Sequence, residues 1–178
     1  MSRLTSLREQ AKKFSLSQFL PLYAKETLFL RIFGLTQVPV LFLISPTVEE
    51  LTPERCVVRV PLNRRTKNHL KSMYFGVLAA GADCAGGLMA MKLIQDRAKG
   101  RVSLIFKDFQ AQFLRRAEGD VLFTCEDGRA IEELVNRTIE TGERQNLSVK
   151  VVATVPTLLG QEPVAEFRLT LSLKKLKK

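Results

Sequence analysis

From Ser72 to Met91 the chain carries one charged side chain, Asp83, among small and apolar neighbours. An ionised carboxylate is costly to bury alone, so Asp83 needs a donor, a solvent-filled groove or a chemical task. A carboxylate so placed can take a proton from water or attack an electrophile directly. Upstream, Tyr74-Phe75-Gly76 opens the helix on which Asp83 sits. The N–H groups of Phe75 and Gly76 have no partner inside that helix. With help from the helix dipole they can hold negative charge developing on an oxygen. Asn68, in the turn before, can position a small molecule or fold its amide back onto its own backbone.

The helix that must carry this constellation is expected over about Ser72–Arg97, ending at Lys99-Gly100. Gly76, Ala79/Ala80, Asp83, Gly86/Gly87 and Ala90 recur at three- and four-residue spacing and form one stripe. A thin ligand or another backbone could come close there, and tight helix–sheet packing would need the same small residues. By length and apolarity Met73–Met91 could also cross a membrane, but its glycines and Asp83 favour a helix wrapped by sheet.

Around the helix the pattern predicts strands. Val40–Ser45 and Cys56–Pro61 are two short candidates separated by a Pro- and Glu-containing turn. In Val102–Leu114 the apolar phase runs through Val102, Leu104 and Phe106, then flips to Phe109, Ala111 and Phe113. This predicts a β-bulge near Lys107-Asp108. Val121–Cys125 is a strand, Asp127 can cap a polar helix through Arg137, and Asn146–Val155 is a strand followed by a turn over Pro156–Pro163. Val164–Leu173 alternates, with Phe167, Leu169, Leu171 and Leu173 inward. Before all of these, residues 1–38 read as a helical arm. It has a possible capping box at Ser15 and Gln18, an apolar face of Leu20, Phe29, Leu30 and Phe33, and a stop at Gly34. Such an arm can pack on its own domain or lie on a membrane. The class is α+β, with an arm and a domain over 39–178.

The length, 178 residues, suits one domain with a real core. Lys and Arg outnumber Asp and Glu 28 to 18, which favours anionic partners. Nucleic acid is not expected, because there is no Trp, there are two Tyr, and basic and aromatic residues do not alternate. Cys56, Cys84 and Cys125 are widely spaced and His69 is the single histidine, so no metal site is expected and the thiols read as reduced. A Cys84–His69 nucleophile pair lacks an orienting third group. Arg3, Arg8, Lys12 and Lys13 are followed by no clean apolar leader, so a cytoplasmic location is expected.

The element order and the central segment resemble the hotdog fold of acyl-CoA thioesterases and dehydratases, in which an antiparallel sheet wraps a long central helix. The segment is most similar to the phenylacetyl-CoA-thioesterase-like branch, whose pattern is an Asn, a Gly three residues later, His-Gly-Gly, and an acid nine positions after the His. Here Asn68 holds the Asn position, Tyr74-Phe75-Gly76 stands for His-Gly-Gly, and Asp83 falls at the acid position. Lys71 replaces the first Gly, Tyr74 the His and Phe75 the next Gly. The resemblance implies an acyl-CoA or other acyl thioester as substrate, with coenzyme A part of the substrate and no separate cofactor. It also implies a homodimer, possibly a tetramer, whose composite site takes the acid from one subunit and the helix-start donors from the other. In that site Asp83 would be base or nucleophile, Phe75 and Gly76 an oxyanion hole, and Asn68 and Tyr74 positioning groups. Ser103 would touch substrate, and Arg64, Arg65 and Lys71 would meet phosphates, with Arg115-Arg116 as a further pair. A non-catalytic acyl-CoA-binding protein is the alternative. A hotdog dehydratase would need a catalytic His near the acid, and His69 does not hold that position.

Overall fold

The computed structural model of the protein describes residues 22–176; Ser15, Gln18 and Leu20 lie outside them. Helix α1 spans Ala24–Thr36 and the short α2 spans Pro39–Leu43. The segment expected as a first strand, Val40–Ser45, is therefore mostly helical. Pro39 presets the backbone angle of the first helical turn, and Ser45 then reverses the chain with φ 53°. Strand β1, Thr47–Leu51, forms instead in the stretch expected as a turn, and pairs antiparallel with β2, Cys56–Val60. Gly34 does not end α1. It lies inside the helix, where a Cβ would come within 2.7 Å of the Phe42 backbone nitrogen, so its missing side chain is what lets α2 cross.

The central helix α3 covers Phe75–Ala98 and closes on Lys99 and Gly100, both left-handed. It is long and apolar enough to cross a membrane, yet 67% of its most apolar window is buried inside the fold, so here it is a core helix. Strands β3 (Val102–Phe113), β4 (Val121–Cys125), β5 (Gln145–Thr154) and β6 (Pro163–Lys175) follow, with helix α4 (Gly128–Thr141) after β4 and a single turn of helix, α5 (Pro156–Leu159), before β6. The six strands form one antiparallel sheet in the order β1-β2-β4-β5-β6-β3. This is the sheet-around-helix arrangement that the hotdog resemblance implies.

Phe167, Leu169, Leu171 and Leu173 are buried, as the alternation of β6 requires. On β3 the expected irregularity is present. Phe106 pairs with Leu171 and Phe109 with Leu169, so β3 spends one more residue than β6 between these pairs. The bulge returns Phe109, Ala111 and Phe113 to the face already occupied by Leu104 and Phe106. Asp127 stands at the start of α4, but its carboxylate accepts the Lys150 N–H at 2.7 Å from β5 instead of capping the helix.

The sheet is held close to α3 by glycine. A Cβ on Gly81 would fall 2.3 Å from the Phe123 ring, whereas one on Gly86 would meet Val149 and Val151 at 3.5 Å, an ordinary contact. Gly81→Ala is expected to destabilise the fold by about 1–3 kcal/mol through overpacking. Gly86→Ala is expected to be neutral or stabilising by up to about 1 kcal/mol through helix propensity. Urea unfolding of the two variants checks the pair, and equal stability would show that the helix does not seat on Phe123 as described.

Candidate functional site

The loop before α3 is fixed by its own polar groups. Thr66 is fully buried, donates to Pro61 O at 2.7 Å and accepts the Asn63 N–H at 2.8 Å. The Tyr74 N–H bonds Thr66 O at 2.9 Å, and the Met73 N–H bonds Ala117 O at 2.8 Å, tying the loop to the segment after β3. Asn68 is central to this. Its Oδ1 accepts the N–H groups of Leu70 at 2.9 Å and Ser72 at 3.2 Å, and its Nδ2 donates to Ser72 Oγ at 3.1 Å. The side chain is thus committed to shaping the loop, an Asx turn in function.

Lys71 sits inside that turn with φ 64°, in the left-handed region. This explains why a glycine suits the position: a Cβ there costs conformational energy that glycine avoids. The Lys71 N–H donates to Asn68 O at 3.1 Å, so the strained geometry is held by the same residue.

Where α3 begins, Val77 and Leu78 N–H groups bond Tyr74 O, while those of Phe75 and Gly76 have no acceptor among the described residues. A groove of about 590 Å³ opens beside them. Asn68, His69, Ser72, Tyr74 and Phe75 form one wall, and Phe113, Leu114, Arg115 and Arg116 the other. The Tyr74 ring lies over Gly76, 2.6 Å from where a Cβ would be. Rings then step inward from Tyr74 to Phe75 (4.7 Å), Phe113 (6.4 Å) and Phe167 (6.2 Å). The groove is therefore aromatic at its base and cationic at its rim.

Asp83 is not part of this groove. It lies eight residues beyond Phe75, about 12 Å further along the helix. Its side chain is mostly buried, and no donor among the described residues reaches it. A Cβ on Gly87 would sit 3.6 Å from Asp83 Oδ1 and 3.3 Å from the Phe106 ring, so the acid and Phe106 of β3 border the same small space. Burial alone pushes the carboxyl up to about 6 from an ordinary 3.8.

The remaining predicted residues are dispersed. Ser103 alternates with the helix-facing Leu104, so it points to the outer side of the sheet, and its Oγ donates to Lys174 O at 3.1 Å. Arg64, Arg65 and Lys71 are exposed on the loop outside the groove. The cations at the groove are Arg115, paired with Glu162 at 3.0 Å, and Arg116. Cys84 is fully buried with its thiol pushed well up by desolvation, while His69 is exposed, so they form no nucleophile pair. Phe106 and Phe113 were legible only as strand residues, because nothing local marks which helix residue a strand will face.

A family profile for a domain of unknown function, DUF4442, matches residues 26–172. The chain belongs to the DUF4442 family. This DUF4442 chain has no match among curated proteins. Among solved structures it is similar to a Pseudomonas aeruginosa protein of unknown function described as "Probable Thioesterase", at 25% identity and TM-score 0.66, over 88% of this chain and 98% of that one. A thioesterase from Haemophilus influenzae superposes with TM-score 0.61 at 15% identity, over 84% and 90% of the two chains. A Chlorobaculum tepidum protein of unknown function superposes with TM-score 0.70 at 13% identity, over 84% and 94%. These likenesses and the sheet-wrapped helix give this DUF4442 chain the hotdog fold.

Lys71→Gly is expected to stabilise the fold by about 1 kcal/mol, and Asn68→Ala to destabilise it by about 1–3 kcal/mol by orphaning loop N–H groups; chemical denaturation reads both. Because the Asp83 carboxyl is raised in the fold, the folded state holds more protons than the unfolded one between about pH 4 and 6. Stability is then highest below that window and falls as pH rises through it. Asp83→Asn should accordingly raise stability at pH 7.5 by up to about 3 kcal/mol and change little at pH 3.5. Parallel denaturation curves at the two pH values test this, and an equal effect at both would contradict it.

Proposed function

We propose that this protein hydrolyses an acyl thioester, with an acyl-CoA as the substrate class, at a site completed by a second copy of the chain. One observation carries the reading. A mostly buried, unpartnered carboxylate and two unpartnered helix-start N–H groups lie on one helix, about 12 Å apart, too far for one chain to use both on the same atom. Strand β3 supports the second copy. It is twelve residues long, lies at the sheet edge beyond β6, and has one side of its backbone ladder open. Phe106 brings that edge strand beside Asp83.

In this reading the ionised Asp83 takes a proton from water, and the resulting hydroxide attacks the thioester carbon. Alternatively, the carboxylate attacks that carbon itself, and water later cleaves the anhydride. The oxyanion is held by the Phe75 and Gly76 N–H groups of the other subunit, with no side chain required. Collapse of the tetrahedral adduct breaks the carbon–sulfur bond, the thiolate leaves and takes up a proton, and the acid product remains. Tyr74 lies over the oxyanion site where the related pattern has a histidine, and its hydroxyl can donate to the substrate. Arg116 at the groove rim, and Arg64 and Arg65 on the loop, provide cations for the phosphates of coenzyme A. The likeness to a "Probable Thioesterase" from Pseudomonas aeruginosa supports the reaction class.

A carboxyl at about 6 gives a direction for pH. As base or nucleophile, Asp83 works only when ionised, so kcat/KM should rise through about pH 6 and level off above it. An acyl-CoA panel with thiol detection tests the proposal. Asp83→Asn should lower kcat at least about 100-fold with little change in binding. Mixing inactive Asp83→Asn with an inactive Gly76→Pro variant should restore part of the activity through mixed dimers. Binding of acyl-CoA without turnover at every chain length would replace the enzyme by an acyl-CoA-binding protein, the reading that Tyr74 and Lys71 would then favour.

A further inference from the structure

Helices α1 and α2 carry a second apolar surface, remote in chemistry from the groove. Their inner side is core: Leu30, Leu41 and Ile44 are buried, and Arg31 pins α1 to the sheet side by bonding Pro46 O and Thr47 Oγ. Their outer side is apolar as well. Leu28, Ile32 and Leu35 follow one another at four- and three-residue spacing, Val40 and Leu43 continue the face on α2, and each is more than half exposed. Contiguous exposed apolar area of this kind marks an interaction surface.

The charge around the face selects the partner. The one acid on α1, Glu26, is neutralised by Lys92 at 2.9 Å, and α2 has none. Lys25 is exposed one turn before Leu28. The whole chain stands at +10. Lys25, Arg31 and Lys92 outnumber Glu26 and Asp96 around these apolar side chains, and a basic, apolar face matches a bilayer interface that is itself apolar below and anionic above. A second copy of this chain would bring the same cations to face each other.

We infer that the outer face of α1 and α2 docks the protein on an anionic membrane surface, with Leu28, Ile32, Leu35 and Leu43 entering the headgroup boundary. The inference does not depend on the reading of the thioester site.

Flotation of the full chain with vesicles tests it. Vesicles of phosphatidylcholine with one-third phosphatidylglycerol should bind the protein at least about tenfold more tightly than phosphatidylcholine alone, and added salt should weaken the difference. The double variant Ile32→Glu/Leu43→Glu, with circular dichroism and melting temperature unchanged, should lose at least about tenfold of that binding. Phe113→Glu, on the groove wall, should keep it. Absence of vesicle binding, equal binding to the neutral vesicles, or equal binding by the double variant would overturn the proposal. So would a solution mass that falls in the double variant when vesicles bind neither form, since the face would then belong to a second copy.

Discussion

The structure depends on how closely α3 can approach the sheet. At Gly81 the helix backbone meets the Phe123 ring with no room for a methyl group, and at Gly86 it lies over Val149 and Val151. Close seating removes water from one side of the helix and makes its apolar residues a core. It also sets the height at which everything on the other side stands. Asp83 is one residue from the buried Cys84 and Ala82, so it is carried to the margin of the core without choice of depth. Its raised proton affinity follows from packing that is arranged elsewhere on the helix.

The same economy governs the helix start. Asn68, Thr66 and Ser72 spend their polar atoms on the loop itself, which leaves the first amides of α3 facing the groove with nothing to bond. A loop that satisfied its groups less completely would have lent a side chain to those amides, as a capping serine does. Tyr74 is a poor cap, and for that reason the positive end of α3 stays available. Lys71 shows what this shape costs: a lysine held at φ 64° is tolerated because the surrounding bonds determine the turn.

Much of this was legible in the sequence because the signals were periodic or punctuated. The alternation of β6 named its buried residues, and the phase flip between Phe106 and Phe109 located the bulge, since a one-residue slip must exchange faces. Lys99-Gly100 marked the end of α3. The failures came where signals were short. Val40–Ser45 is an apolar run too brief to separate helix from strand by period. Thr47–Leu51 looked like a turn because Glu49 and Glu50 lie in it; as an edge strand it carries those acids against Arg59 and Arg55. Gly34 carries the signal of a stop but serves a helix crossing. For the site, Asn68, Tyr74, Phe75 and Gly76 cluster because they are close in sequence. Ser103 depended on strand phase, and the groove's Arg116 and Phe113 come from a strand end that only the tertiary fold brings near.

The sheet order has a consequence for how the chain is made. Val102 pairs with Lys175, so the edge strand that follows α3 waits for the last strand of the domain, and β5, which supplies Val149 and Val151 beneath the helix, also arrives late. A growing chain therefore presents a long apolar helix before its sheet exists, and that helix meets the length and apolarity of a membrane span. Non-local pairing of this kind is slow to form. Asp83, near the middle of that helix, raises the free energy of insertion at the bilayer centre by about 2.5–3.5 kcal/mol. An acid that destabilises the finished fold at neutral pH thus biases the unfinished chain away from the lipid and toward the sheet it has yet to meet.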